Sequence, residues 1–344
     1  MKQISNVNQV KNHNVALIKN TLKSIESGTK NTVSQLTGLS VATCNTILNE
    51  LALTGEIIET ASAAPTIGRP PKSYRFNESF AYVLCLFTFE EGEFTLNSAV
   101  TDLLGTIITD DTKSYPKITT KVILEYIAEK IEEEPRIRYI SLGISGFYYN
   151  NKVQSSGIAD INGVDLKSII EEEFGLPCTI ENDTNAMAFG VYSYADRLAE
   201  CREENKNIAL LAYFKGRSPG SGIIIDGSIH IGNTSFAGEV SHLVFKNIAS
   251  PIDLDHFVDE EEHPFPAENV LESASTCLVA LTCTVNPDTV VFTGEAMNDD
   301  MLIDIRKEAE KYIPCEHIPH LVYGSDVRKY YFWGLCAEAL NEDI

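Results

Sequence analysis

The chain has 344 residues, with 27 Lys and Arg against 49 Asp and Glu, and a formal net charge of −22. At ~100–200 residues per domain this length holds two or three domains, and a composition 44% hydrophobic and 22% charged excludes a disordered chain. No stretch approaches the ~20 apolar residues of a membrane span, and the polar opening MKQISNVNQVKNHN lacks the apolar core of a secretory leader. Eight cysteines, scattered without a Cys-x-x-Cys pair, point to reduced thiols in a cytoplasm and away from a disulfide framework or a compact zinc knuckle.

The charge is uneven. Residues 1–80 carry eight basic and five acidic side chains, a net +3, which leaves −25 for the rest. A uniformly acidic chain would repel DNA, whereas a mildly basic head on an acidic body suggests that the head alone meets a polyanion. On charge alone, a chance excess of lysine explains the head equally well.

The head reads as a helix-turn-helix with a wing. Asn8 is placed to cap a helix whose Val10, Leu17, Leu22 and Ile25 share one face, and Gly28 to end it. A short helix from Thr32 to Gly38 follows. After the turn Gly38-Leu39-Ser40, Ser40 caps a third helix over Val41 to Thr54, stopped by Gly55. Val41, Cys44, Leu48 and Leu51 recur at three- and four-residue spacing and are expected inside. Ala42, Thr43, Asn45, Thr46 and Asn49 are expected outside, small and polar enough to approach base edges. Glu56–Thr60 and Lys72–Phe76 read as two strands of a hairpin. The loop between them ends in Gly68-Arg69-Pro70-Pro71, a stiff cationic tip suited to a minor groove. Candidate DNA contacts are Ser40, Ala42, Thr43, Asn45, Thr46, Asn49, Arg69 and Lys72; an ordinary three-helix cap with a Pro-rich linker is the plainer alternative.

From about Phe80 the pattern becomes α/β. Strands are expected at Ala81–Phe87, Glu93–Ala99 and Leu103–Thr109, a helix at Thr119–Ile131, a strand at Tyr139–Ile144, a helix at Leu166–Phe174, a strand at Cys178–Glu181 and a helix at Thr184–Tyr194. The order then repeats, with strands at Ile208–Phe214 and Gly222–Ile225, a turn at Gly227, a helix from about Glu268 to Thr284 and a strand at Thr289–Phe292. A meander followed by strand–helix alternation, done twice, suggests duplicated lobes around a cleft. The acidic stretch over 253–266 reads as a solvated loop.

Three clusters could carry chemistry. Glu181-Asn182-Asp183 could bind sugar hydroxyls, with Asp183 as a general base, although alone the triplet also reads as a strand end and helix cap. Gly216-Arg217-Ser218-Pro219-Gly220-Ser221-Gly222 is a glycine-rich turn without a Walker lysine. Glu239 and His242 are three apart and adjacent if helical, and a lone histidine is also common as a plain hydrogen-bonding residue.

In order and spacing, these segments resemble the ROK family (repressor, open reading frame, kinase) over nearly the whole chain. Asn14–Ile18 and Gly68–Lys72 are similar to the repressor head, PCTIENDTNAMAFG (177–190) to the segment around the catalytic aspartate, SGIIIDGSIHIGNTSFAGEVSH (221–242) to the family signature, and 286–295 to the strand near the nucleotide's adenosine. The resemblance implies an α/β chain: an N-terminal winged helix-turn-helix over 1–78, then a two-lobed actin-like (ribonuclease H-like) sugar-kinase fold with lobes over 79–190 and 191–344, the final helix packing back on the first lobe. It implies sugar contacts from Asn182 and Asp183, the latter at the catalytic-base position, from Glu239 and His242, and from Gly143 and Gly146 at the rim.

The departures matter as much. Family kinases open the first lobe with an Asp-x-Gly-Gly-Thr phosphate loop, where this chain has Leu86-Phe87-Thr88-Phe89-Glu90-Glu91-Gly92-Glu93. Missing glycines and added carboxylates disfavour a bound triphosphate and hence phosphoryl transfer. The family's zinc-binding cysteine cluster after His242 is absent, and Ile158 stands where sugar binders often place asparagine. The expectation is therefore a cytoplasmic regulator, not an enzyme, with no catalytic residue, metal or cofactor. Its partners would be operator DNA and a sugar or sugar-derivative effector, in a homodimer or homotetramer with no membrane contact. The alternative is an ATP-dependent sugar kinase with Asp183 as base.

Overall fold

The computed structural model describes residues 2–61, 72–91, 93–154, 157–194, 207–215, 217–243 and 270–341. The wing tip with Arg69, the loop residue Ser156, Gly92, Gly216, Cys201 and the acidic stretch over 253–266 lie outside the described residues. Contacts divide the chain into two units, Met1–Tyr82 with Asp102–Thr106 and Asn341–Ile344 in one, and Val83–Thr101 with Ile107–Leu340 in the other.

The first unit holds α1 (Lys2–Ser24), β1 (Gly28–Thr29), α2 (Lys30–Thr37), α3 (Val41–Thr54), β2 (Ile57–Ala61) and β3 (Lys72–Phe76), with sheet order β1-β3-β2. The two shorter helices begin and end where local chemistry dictates. Thr29 accepts from the Thr32 amide and Ser40 from the Thr43 amide, satisfying otherwise orphan helix N–H groups. Gly38 (φ 72°) and Gly55 (φ 88°) take left-handed conformations that close α2 and α3. Ile18, Leu22, Val33, Cys44, Ile47, Leu48, Leu51, Ile57, Tyr74 and Phe76 form the core. Three details differ from the sequence reading. Asn8 lies inside α1 rather than capping it, because nothing in the polar opening breaks a helix. Gly28 does not end α1; it starts β1, and its bare Cα lets the chain turn against Ile25. Val41 is 42% exposed and Val10 54%, while Ile47 is buried; the first residue of α3 points away from the seam that Cys44, Ile47, Leu48 and Leu51 form.

The second unit consists of two lobes with one topology. The first has β4 (Tyr82–Glu91), β5 (Glu93–Thr101), β6 (Ile107–Tyr115), α4 (Thr120–Glu133), β7 (Ile137–Ile144), the small hairpin β8 (Phe147–Tyr149) and β9 (Lys152–Gln154), α5 (Leu166–Phe174), β10 (Cys178–Asn182) and α6 (Asp183–Ser193). The second has β11 (Ile208–Ala212), β12 (Gly220–Ile225), β13 (Ser228–Ile229), α7 (Val270–Thr284), β14 (Thr289–Thr293), α8 (Asp299–Ala309), β15 (His320–Gly324) and α9 (Val327–Asn341). The sheet orders are β10-β7-β4-β5-β6 and β13-β12-β11-β14-β15: in both, the first strand is central, the next two extend it antiparallel, and the last two lie on its other side. β10 runs parallel to β7, and β14 and β15 run parallel to β11. The β5–β6 connection corrects one expectation. Asp102 Oδ1 accepts from the amides of Leu104 and Thr106, both at 2.8 Å, so 102–106 is a tight turn and β6 begins only at Ile107. Asp226 and Gly227 both take positive φ (48° and 80°), the backbone of a two-residue hairpin turn between β12 and β13.

Among the described residues, an apolar cluster joins the lobes. It takes Val83, Cys85 and Phe87 from one sheet, Ile208, Leu210 and Val322 from the other, and the inward faces of α6 and α9. The two helices touch backbone to backbone: a Cβ on Gly334 of α9 would overlap the Ala186 carbonyl of α6, and one on Gly190 would overlap the Tyr330 carbonyl.

Candidate functional site

The cleft is organised by the junction of β10 and α6. At that junction Asn182 leaves the ladder and caps a helix whose residues from Thr184 to Val191 are all buried. Its Oδ1 accepts from the amides of Thr184 (2.9 Å) and Asn185 (3.1 Å) and from the Thr184 hydroxyl (2.7 Å). Its Nδ2 donates to the Gly146 carbonyl at 2.8 Å, fixing the turn after β7, where Gly146 holds φ 93°. Asn182 thus satisfies helix amides that burial would leave unpaired. Thr184 also donates to the Ser221 carbonyl of β12 at 3.0 Å, a bond between the lobes beside the cleft.

Three carboxylates gather here. Glu181 Oε1 accepts from the Asn182 amide (2.7 Å) and from Asn185 Nδ2 (3.1 Å), yet burial still pushes its carboxyl up. Asp183 opens α6 and accepts from the Thr184 amide at 2.7 Å. Glu239 precedes a single 3-10 turn, Val240–His242; burial, with the charge of Asp183 adding to it, pushes its carboxyl up to about 6. Glu181, Asn182, Asn185, Ser221 and Glu239, with the rings of Phe147 and Tyr148, line one pocket between the lobes. Hydrogen-bond acceptors around an aromatic wall suit a polyhydroxylated ligand. Among the described residues, no group of three or more His, Cys, Asp or Glu side chains is placed to share a metal ion.

The candidates from the sequence are therefore not all alike. Asn182 and Glu239 line the pocket; the charge of Asp183 acts on Glu239, and Gly146 is tied to Asn182, but neither of these two is in the lining. His242 follows Glu239 with its ring 5.1 Å from that of Phe236, outside the pocket lining. Gly143 sits one layer behind, paired with Glu181 across the β7–β10 ladder and covered by Tyr331 of α9. Asn185 enters the lining although the sequence does not mark it, and Ser221, expected only as part of the glycine-rich turn and the family signature, lines it too. Asn185 was within reach of sequence reasoning as the third residue of a capped helix, but the placement of Ser221 depends on tertiary packing.

In the head, Ala42, Thr46 and Asn49 are exposed on α3, and Thr43 and Asn45 are half-buried. Ser40 is exposed at the N-terminus of α3, sharing its hydroxyl with that of Thr43 at 2.9 Å. Lys72 is paired with Glu59 across the hairpin at 2.8 Å, and three more cations are engaged locally, in Lys11–Glu50, Lys19–Glu56 and Arg75–Glu78.

Fold and site together define a class: a three-helix head with a small antiparallel sheet, followed by a duplicated α/β body with a polar cleft between its lobes. The ROK family profile matches residues 88–264, more than half of the chain, and the chain belongs to that family. A xylose repressor from Bacillus spizizenii is 28% identical over 220 residues, which are 61% of this chain and 55% of that protein. The chain thus spans about half the length of such curated relatives. Among solved structures, a ROK family transcriptional regulator described as a homologue of the E. coli MLC protein superposes with a TM-score of 0.69 at 16% identity, covering 97% of this chain and 99% of that one. A ROK hexokinase from Thermus thermophilus superposes with a TM-score of 0.57 at 19% identity, covering 76% of this chain and 100% of its own. At these identities the superpositions establish the fold.

Proposed function

We propose that this protein is a cytoplasmic DNA-binding transcriptional repressor whose kinase-like body binds a sugar or sugar derivative as effector. The observation that carries this reading is the head. The hexokinase is matched over its entire length by about three quarters of this chain, whereas the regulator matches nearly all of it. The part a kinase leaves over is about the size of the helix-turn-helix unit. α3 offers Ala42, Thr43, Asn45, Thr46 and Asn49 to base edges, Ser40 and the helix N-terminus to a phosphate, and the wing offers Arg69 and Lys72. In the cleft, Asn182, Asp183, Glu239 and His242, with Gly146 at the rim and Gly143 behind, hold the sugar through its hydroxyls. The effector works by binding two conformations unequally, and a homodimer or homotetramer presents two heads to a palindromic site. Among the described residues no helix is long and apolar enough to cross a membrane.

A mobility-shift series on the gene's own promoter tests the DNA reading. Binding should weaken steeply with salt and weaken further with Arg69→Ala; salt-independent binding, or none, refutes it. The second reading is an ATP-dependent sugar kinase, favoured by Asp183 at the family's base position. Against it stands the acidic replacement of the phosphate loop. A coupled ADP-release assay over hexoses, pentoses and amino sugars decides between them: turnover abolished by Asp183→Asn establishes the kinase.

A further inference from the structure

Tyr331 is out of keeping with an ordinary core residue. It is 5% exposed, and its hydroxyl is buried with no hydrogen-bond partner among the described residues. Its ring stacks on Phe87 of β4, centroids 4.2 Å apart and planes 16° apart, which fixes its direction. The hydroxyl rests against Gly143, where a Cβ would collide with it; only glycine lets the phenol reach this depth. Gly143 is the ladder partner of Glu181. The negative charges of Asp183 and Glu181 both act on the phenol and, with its burial, push its pKa well up. An uncharged donor thus sits against Gly143, the neighbour of Glu181 in the ladder, and within the field of two carboxylates, bonding to neither among the described residues. Of the two, Glu181 is committed through Oε1 to Asn182 and Asn185.

A buried hydroxyl without a partner destabilises the state that contains it, and the penalty disappears in any state that supplies an acceptor. We propose that Tyr331 is a positioning residue of the sugar site: when a sugar enters the cleft, the carboxylates re-aim and the Tyr331 hydroxyl donates to one of them, drawing the C-terminal helix into the liganded state. This rests on the reading of the cleft as a sugar site. The sugar hydroxyls need Glu181 and Asp183 as oriented acceptors, and a donor behind them holds that orientation. α9 is the element such a bond would hold, because it meets α6, which carries Asp183, backbone to backbone at Gly334 and Gly190.

The test compares the full-length wild type with Tyr331→Phe, which keeps the ring and its stack on Phe87 and removes only the hydroxyl. D-xylose, D-glucose and N-acetylmannosamine are the probes, with affinity measured by calorimetry and the melting temperature measured without ligand. The proposal expects opposite signs: the unliganded variant melts higher than wild type, while its sugar affinity is about tenfold weaker. A merely structural role would not produce that crossing. Equal affinities in the two proteins overturn the role of Tyr331 and leave the sugar site standing. A lower melting temperature for the unliganded variant shows the hydroxyl already satisfied and also overturns it. No binding of any of the three sugars by either protein overturns this proposal and the sugar-site reading together.

Discussion

Replacing Glu239 with Gln should change how sugar binding depends on pH. In the empty cleft, burial and the charge of Asp183 push the Glu239 carboxyl from its usual 4.5 up to about 6. At about 1.4 kcal/mol for each tenfold change in the equilibrium, keeping this group ionised in the empty fold costs about 2 kcal/mol. The sign follows from linkage. Its neutral form suits the unliganded fold, so its contribution to stability is fully present below pH 4.5 and is lost as pH rises through about 6. A sugar hydroxyl donating to Glu239 prefers the carboxylate. If binding restores the ordinary pKa, affinity at about pH 5 is roughly eightfold below affinity at about pH 8. Calorimetric titration across that range reads the slope directly. Glu239→Gln cannot ionise and should bind weakly with a flatter profile, which separates this group from the neighbouring His242 and Glu181. An undiminished slope in the variant, or a wild-type affinity that rises as pH falls, refutes the assignment of Glu239 to the ligand.

Asn182→Ala removes the cap of α6 and strands buried amides, so it should cost about 2 kcal/mol in denaturant unfolding and weaken sugar binding; an unchanged midpoint contradicts the geometry. Asn49→Ala should weaken operator binding while leaving the salt slope intact, whereas Arg69→Ala should reduce that slope by about one; anisotropy titrations at several salt concentrations separate base from phosphate contacts. Ser40→Ala should destabilise the head by about 1 kcal/mol through loss of the α3 cap, seen by thermal melting of the full chain.

How much of the structure was legible in the sequence depends on where each element is buried. α3 is bounded as expected because Ser40 and Gly55 mark its ends with local chemistry that tertiary packing does not override. α5 is amphipathic, with Leu166 and Ile170 buried on one side, and its range also agrees. α9 is expected only through the family resemblance, as a final helix, and its range is not legible in the residues, for the opposite reason. Tyr330 to Cys336 are all buried between two sheets, so the helix has no polar face and no clear period. β6 was misplaced because Leu103 and Leu104 look like the start of a strand but belong to the turn that Asp102 ties. At the cleft, the Glu181-Asn182-Asp183 triplet is a strand end and helix cap, as its plainer reading expects, and Glu181 and Asn182 also line the pocket. The charge excess of the head was legible only as a sum, since Glu50, Glu56, Glu59 and Glu78 engage four of its cations in local pairs. Tyr331 could not be found from sequence at all, because its place against Gly143 and Phe87 is made by residues far away in the chain.

The most direct test of the account is the affinity of the full chain for a fluorescent fragment of its own promoter, measured with and without saturating D-xylose or a second sugar that binds. The account predicts tight, salt-sensitive binding that the sugar weakens, with the fragment weakening sugar binding by the same factor, as reciprocal linkage requires. Promoter affinity that no bound sugar alters, or sugar-dependent consumption of ATP by a protein indifferent to the fragment, would contradict it.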